Sequence, residues 1–146
     1  MAEKNKEILL VEDNEDDVEL ALHAFQKCRM DKGVVVVRDG ETALDYLFRK
    51  GEYESRESGD PVLVLLDLNL PGVSGLEVLR RVKDDPVTRR VPVVVLTTST
   101  EHEDLLGSYD LGANSYIRKP PQLTSFNGIV DQLSAYWLVV NTPPPV

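Results

Sequence analysis

Cysteine is almost absent from this sequence. Cys28 is the only one among 146 residues, so a single chain cannot form a disulfide framework. It falls on the apolar side of a predicted helix. That position favours a small buried side chain over a reactive thiol.

Clustered positive charge is also lacking. The net charge is −9 at pH 7, and no basic stripe runs along any segment. Binding to DNA or RNA depends on grouped Lys and Arg side chains that contact phosphates, so this balance disfavours direct nucleic-acid binding. Basic proteins and metal ions are the partners that we expect.

Long hydrophobic runs are missing as well. No apolar run approaches the roughly 20 residues that a membrane-spanning helix needs. Residues 1–7 are polar and have no signal-peptide hydrophobic region. We therefore expect no membrane association and a cytoplasmic location.

What the chain does contain is a regular alternation of short Val-rich runs and segments with helical periodicity. The runs lack polar–apolar alternation, which predicts strands buried on both faces. There are five, at residues 8–11, 34–37, 62–66, 91–96 and, more weakly, 115–117. Repeated β-then-α order requires right-handed crossovers. It therefore predicts an α/β domain with one parallel sheet and helices on both sides.

Two segments interrupt this alternation. Residues 51–60 are polar and begin with Gly, which predicts a surface loop that is either a neutral insertion or a docking site for a partner. Residues 141–146 include three consecutive prolines, which predict an extended tail. The length suits one sizeable core. We expect a single domain over residues 1–137 and a C-terminal tail over residues 138–146.

Polar side chains follow the predicted strands at their carboxyl ends. Glu12 and Asp13 follow the first run, Asp67 follows the third, and Thr97 and Lys119 end the last two. The carboxyl ends of parallel strands meet at one edge of the sheet, where ligands of such folds bind. Three carboxylates, a hydroxyl and an ammonium group form a set suited to magnesium binding and phosphoryl transfer.

Carboxylates that lie close together at one edge of the sheet repel one another. Two of them ~4 Å apart repel by about 4 kcal/mol at an effective dielectric of 20, so either their pKa values rise or a divalent cation binds. Hard oxygen ligands favour Mg²⁺ or Mn²⁺. Taken singly, each residue has a structural alternative. Glu12 or Asp13, next to Asn14, could cap a helix, and Thr97 or a neighbour could cap the next one.

These motifs resemble the receiver domain of two-component response regulators, over residues 6–137. The resemblance rests on Glu12-Asp13, on Asp67 with Leu70-Pro71-Gly72-Val73-Ser74-Gly75, on Leu96-Thr97-Thr98 and on Tyr116-Ile117-Arg118-Lys119-Pro120. Leu70 stands where the family usually has Met, and the 51–60 loop is longer than usual. The long loop, the Thr97-Thr98-Ser99 run, the tail and the absence of an output domain resemble single-domain regulators paired with bacterial phytochromes.

The resemblance implies a flavodoxin-like, doubly wound sheet of five parallel strands in the order 2-1-3-4-5, the (βα)5 receiver fold. It implies that Asp67 is the phosphoacceptor. Glu12, Asp13, Asp67 and the backbone carbonyl of Asn69 would hold Mg²⁺ or Mn²⁺.

The remaining motif residues also acquire implied roles. Lys119 would pair with the phosphoryl group and Thr97 would donate a hydrogen bond to it. Tyr116 would be the aromatic switch residue whose rotamer follows Thr97, and the Lys119–Pro120 peptide bond would be cis.

The implied function is that of a phosphorylation-activated response regulator. A sensor histidine kinase, in the narrower match a bacterial phytochrome, would donate the phosphoryl group. The chain would catalyse only its own phosphorylation and dephosphorylation, and would signal through protein contacts without a DNA-binding output domain. His23 and His102 lie on predicted helices without an acidic partner, which favours surface or half-buried positions over a phosphodonor role.

The last predicted helix has a wider apolar face than packing on a sheet requires. Its apolar residues are Leu123, Phe126, Ile129, Val130, Leu133, Tyr136, Trp137 and Leu138, with Val139 and Val140 beyond. The excess predicts a homodimer through this helix and the neighbouring strand 115–117. A thick core helix with an exposed apolar end is the alternative.

Two other functions compete with this assignment. Phosphohydrolases of the haloacid-dehalogenase class also use an Asp, a Thr and a Lys around Mg²⁺, but need a second Asp where this chain has Asn69. They also carry a cap domain for which this chain has no room. A receiver-like interaction module that has lost phosphorylation is the other rival, and the intact acidic set argues against it.

Overall fold

Five parallel strands form one sheet in the order β2-β1-β3-β4-β5, with helices on both faces. This computed structural model describes residues 7–28, 33–57 and 59–145. The predictions that concern residues 1–6, Ser58, Val146 and the side chain of Leu123 fall outside these described residues. The flavodoxin-like topology and the parallel α/β class predicted from sequence are confirmed.

The strands and helices alternate as the hydrophobic pattern predicts. In chain order they are β1 Ile8–Val11, α1 Glu15–Lys27, β2 Val34–Val37, α2 Gly40–Phe48, β3 Leu63–Leu66, α3 Gly75–Asp84, β4 Val93–Thr97, α4 His102–Asp110, β5 Ser115–Arg118 and α5 Leu123–Ala135. No helix in the described part of the chain has the length and apolarity to cross a membrane.

The sheet separates the core into two layers, because successive side chains of a strand point to opposite faces. Leu9, Val11, Val64 and Leu66 face α2 and α3 on one side. On the other side, Ile8, Leu10, Leu63 and Leu65 pack against α1 and α5, which contribute Phe25 and Phe126. The central strands β1, β3 and β4 are buried on both faces, which explains their unbroken apolar runs.

The first helix is capped by Asn14 and not by one of the predicted acids. The Asn14 side chain accepts a hydrogen bond from the amide of Asp17 at 3.0 Å, and this caps α1. Glu101 precedes α4 without a side-chain cap, although Ser99 Oγ accepts from the Glu101 amide at 3.2 Å. Glu12 and Asp13 therefore do not cap α1, and Thr97 does not cap α4.

The 51–60 loop lies at the surface, as predicted, and packs on α2 through Tyr53 and Arg56. Its first residues form a 3₁₀ turn over Gly51–Tyr53. The Arg56 guanidinium lies 4.2 Å from the Tyr46 ring centroid, and Arg56 Nε donates to the Tyr46 carbonyl at 3.0 Å. Tyr53 contacts the same ring edge-on, with centroids 4.9 Å apart. These contacts hold the insertion against the domain, and a docking role remains a prediction.

Helical structure continues beyond the predicted end of the domain. A π-helical segment spans Tyr136–Val140, in which Leu138 is buried and Val139 is 76% exposed. Pro143–Pro145 then line a cavity of about 460 Å³ together with loop residues that include Pro61 and Val87. Regular helical backbone therefore runs through Val140, past the predicted boundary between domain and tail at residue 138. That boundary stays a prediction.

Gly75 lets the start of α3 contact the end of β3 directly. A Cβ atom at this position would lie 2.3 Å from the Asp67 carbonyl oxygen and 2.6 Å from Leu68 Cα. No side chain fits there, so the glycine fixes the distance between α3 and the backbone that carries Asp67.

Replacing Gly75 with alanine should therefore lower the free energy of unfolding by about 1–3 kcal/mol, because backbone atoms must move to relieve the overlap. Gly107→Ala is the matched control, since a Cβ on Gly107 of α4 meets nothing within 4 Å. It should be neutral or stabilising by about 0.5–1 kcal/mol. Urea denaturation of both variants measures the difference, and equal stabilities would contradict this packing.

Candidate functional site

The ends of β1 and β3 bring two buried carboxylates together. Val11 and Leu66 are register partners, so Glu12 and Asp67 leave adjacent strands at the same level. The Asp67 amide donates to the Val11 carbonyl at 3.1 Å, and the Glu12 amide donates to the Val37 carbonyl at 3.0 Å. Sheet hydrogen bonding thus continues into both acidic residues and fixes their backbones.

Three carboxylates form a cluster that fits a divalent cation. Oxygens of Glu12, Asp13 and Asp67 all lie within 4.8 Å of one another. Glu12 is 3% exposed and Asp67 7% exposed, whereas Asp13 faces solvent and leaves the cluster open on one side. The oxygen-only ligand set and the open side suit Mg²⁺ or Mn²⁺, which keep several water ligands.

Asn69 lies beside this cluster through its own backbone. Its amide donates to Asp67 Oδ1 at 3.3 Å, in a turn that follows β3. The contact orients the Asp67 carboxylate and leaves its Oδ2 atom toward Lys119. A ligand role for the Asn69 carbonyl stays a prediction.

Among the described residues, Lys119 is the cationic side chain that contacts the acids of this cluster. Its side chain is 7% exposed, and Nζ donates to Glu12 Oε1 and, at 2.9 Å, to Asp17 Oδ2. Asp67 Oδ2 lies 3.6 Å from the same nitrogen. Asp17 was missed in the sequence analysis. Its signal is its place in the first turn of the helix after β1, at the same edge of the sheet.

Burial and like charge act together on the acids. Burial raises the pKa of Glu12 to about 7, Lys119 opposes the rise, and Asp67 adds to it. For Lys119, burial acts to lower the pKa, but hydrogen bonds to Glu12 and Asp17 and the charge of Asp67 outweigh it and raise the pKa overall. One ammonium therefore does not neutralise the site, which favours an added cation.

Thr97 and Tyr116 are linked through the backbone of Ser99. Thr97 is fully buried at the end of β4, and its Oγ1 accepts from the Ser99 amide at 3.2 Å. The Tyr116 hydroxyl donates to the Ser99 carbonyl at 3.4 Å. Ser99 Oγ also donates to Asp104 of α4 at 2.6 Å. A change at Thr97 can thus reach both Tyr116 and the start of α4.

The predicted cis bond at Lys119–Pro120 is wrong for this structure. No cis peptide occurs among the residues described, so the bond is trans. Lys119 makes its contacts from this backbone: its amide donates to the Thr97 carbonyl at 2.8 Å while Nζ reaches Glu12. Since the trans form is favoured by about 0.5–1 kcal/mol before proline, nothing in these contacts demands the rarer isomer.

The remaining reactive side chains lie away from the cluster. His23 and His102 are exposed, in agreement with surface positions. Cys28 is half-buried and donates to Asp131 Oδ1 at 2.7 Å. Burial and the neighbouring carboxylate raise the pKa of this thiol to about 11, so it stays protonated and unreactive at neutral pH.

Comparison with known proteins agrees with this geometry. Residues 8–131 match the family described as the response regulator receiver domain. The chain is 41% identical to the response regulator Rcp1 of Synechocystis sp. over 139 residues, which cover 95% of this chain and 93% of Rcp1.

Solved structures extend the likeness to the whole fold. The phosphorylated cyanobacterial phytochrome response regulator RcpA is 44% identical, with a TM-score of 0.89 over 97% of this chain and 99% of RcpA. The Mn²⁺-bound form of Rcp1 gives a TM-score of 0.87 at 41% identity, over 96% and 99% of the two chains. The bacteriophytochrome response regulator AtBRR gives 0.76 at 48% identity, over 97% and 100%. On its sequence, topology and strand-end acids, the chain belongs to the response regulator receiver domain family.

Proposed function

We propose that this chain is a phosphorylation-activated response regulator in which Asp67 accepts a phosphoryl group from a sensor histidine kinase. The observation that carries the proposal is the carboxylate cluster of Glu12, Asp13 and Asp67 with Lys119 Nζ 3.6 Å from Asp67 Oδ2. Phosphoryl transfer depends mainly on positioning and charge neutralisation, and this site offers both.

Asp67 is the nucleophile of the transfer. One of its carboxylate oxygens attacks the phosphorus of a phosphohistidine in line, the N–P bond breaks, and an acyl phosphate forms as the histidine leaves. Lys119 neutralises charge on the phosphoryl oxygens. Glu12, Asp13, Asp67 and the Asn69 carbonyl hold Mg²⁺ or Mn²⁺, which when bound supplies further charge neutralisation.

Thr97 and Tyr116 convert the modification into a conformational signal. Thr97 exchanges its contact with the Ser99 amide for a hydrogen bond to the phosphoryl group. A charge-assisted hydrogen bond contributes ~1.5–3 kcal/mol. That free energy shifts a two-state equilibrium roughly 10- to 150-fold. Tyr116, bonded to the Ser99 carbonyl, changes rotamer as the Ser99 segment moves.

The partners follow from the family and from the exposed surface. The phytochrome association named for RcpA and AtBRR supports a photoreceptor kinase of the phytochrome class as the donor. The chain turns over no separate phosphate ester, since Asn69 stands where a hydrolase of this chemistry has its general acid. Output passes through protein contacts, including a homodimer through α5 and its π-helical extension.

Labelling with acetyl phosphate and Mg²⁺ tests the phosphoacceptor. About one acid-stable, base-labile phosphate per chain is expected for the parent, and none for Asp67→Asn, because the amide is a poor nucleophile. Asp110→Asn, at an exposed position in α4, is the control and should label like the parent. Label retained by Asp67→Asn, or absent from the parent, would contradict the assignment.

The affinity for Mg²⁺ should rise with pH. Because the pKa of Glu12 is raised to about 7, its carboxyl is protonated below that pH and must lose the proton to bind metal. Calorimetric titration should show tightening of up to about tenfold per pH unit below pH 7 and a plateau above it. Glu12→Gln should bind more weakly and flatten the profile, while Glu103→Gln, at an exposed position, keeps it. A pH-independent affinity in the parent would refute this dependence.

The homodimer can be tested at the exposed end of the C-terminal helix. Val139 is 76% exposed, so Val139→Glu should leave the fold intact and weaken self-association by placing charge in an apolar contact. Val87→Glu is the matched control, since Val87 is 68% exposed on a loop after α3. Sedimentation should give a dimer for the parent and Val87→Glu, and monomer for Val139→Glu. A monomeric parent at micromolar concentration rules out the homodimer.

A further inference from the structure

Asp17 contacts the site lysine but lies outside the cluster that fits a metal. It occupies the third position of α1, where its amide is bonded to the capping Asn14 side chain at 3.0 Å. Its Oδ2 accepts from Lys119 Nζ at 2.9 Å. Among the described residues, the carboxylates that share one possible metal position are Glu12, Asp13 and Asp67. The Asp17 carboxylate thus forms an ion pair with Lys119 and is not part of the possible metal site.

The Lys119 ammonium is held closer to the β1–α1 side of the site than to Asp67. It is within hydrogen-bond distance of Glu12 and Asp17, whereas Asp67 Oδ2 lies 3.6 Å away, beyond a normal hydrogen bond. The lysine side chain is 7% exposed and the Asp17 side chain 30%. Packing around Lys119 therefore restricts the ammonium to positions between these carboxylates.

Two events of the proposed reaction change the partners of Lys119. Glu12 would bind a divalent cation with the same carboxylate that now accepts from the ammonium, and Asp17 would then remain as the acid that holds Lys119. A phosphoryl group on Asp67 then adds ≈ −2 charges on the other side. Asp17 and the phosphoryl group attract the same ammonium from different directions.

We infer that Asp17 is a positioning residue that holds Lys119 on the α1 side of the site and competes for it with the phosphoryl group on Asp67. The inference rests on the proposed function of Asp67. Asp17 itself touches no reacting atom and acts through Lys119. The strength of its ion pair sets how far the site favours the unphosphorylated state.

Binding of beryllium fluoride with Mg²⁺, a mimic of the phosphorylated aspartate, tests this by fluorine NMR. Asp17→Asn should bind the mimic about 3- to 10-fold more tightly than Asp16→Asn. The increase in affinity is smaller than loss of a whole charge-assisted hydrogen bond would give, because the Asn amide oxygen still accepts from Lys119. Asp16 is an exposed neighbour with the same charge, so the control removes the general effect of net charge. Asp17→Ser, whose side chain is too short to reach Lys119, should give a larger increase.

Equal or weaker binding by both Asp17 variants relative to Asp16→Asn would overturn the inference. So would a loss of Mg²⁺ affinity in Asp17→Asn beyond that in Asp16→Asn, since Asp17 would then belong to the metal site. If the parent itself does not bind the mimic, the proposed role of Asp67 fails instead.

A second readout does not depend on phosphorylation. The ammonium resonance of Lys119 in the resting protein should shift in Asp17→Asn and stay in place in Asp16→Asn, because only the first variant alters a hydrogen-bond partner of that group. An unchanged resonance in Asp17→Asn would show that the contact does not position the lysine.

Discussion

An excess of negative charge at one edge of the sheet is the constraint on which the rest of this site depends. Glu12, Asp13, Asp17 and Asp67 lie at the ends of β1 and β3 or in the next turn, and Lys119 is the cation that reaches into them. Burial raises the pKa of Glu12 to about 7, and the neighbouring charge of Asp67 adds to the rise. A divalent cation offsets two of these charges, and the phosphoryl group then meets a site that is less negative.

The fold holds these charges together against their repulsion. Apolar strands buried on both faces place the acids at fixed backbone positions, and continued sheet hydrogen bonding restrains Glu12 and Asp67. Gly75 brings α3 against the Asp67 backbone. Ser99 joins the hydroxyls of Thr97 and Tyr116 to the start of α4. Core packing thus offsets the electrostatic repulsion among these acids. The same rigid elements can transmit a change at Asp67 to α4.

Sequence reasoning was most successful where one physical signal dominates. Unbroken apolar runs predicted the buried strands, and the shared edge of parallel strands predicted that Glu12, Asp13 and Asp67 converge. It failed at Asp17, because a helix rotation decides which first-turn side chain turns inward. It also failed at the Lys119–Pro120 bond, where a small preference between isomers is decided by contacts that no local pattern encodes. The capping role of Asn14 could be assigned only from the backbone, since Asp13 is equally suitable by residue type.

The most direct measurement of the central claim is a crystal structure of the chain with Mg²⁺ and beryllium fluoride. The account predicts beryllium bonded to an Asp67 oxygen, the metal held by the Glu12–Asp13–Asp67 cluster at about 2.1 Å from its direct oxygen ligands, and Lys119 Nζ moved from Asp17 toward a fluorine. Metal bound elsewhere, or Asp67 left unmodified at saturating beryllium fluoride, would contradict it.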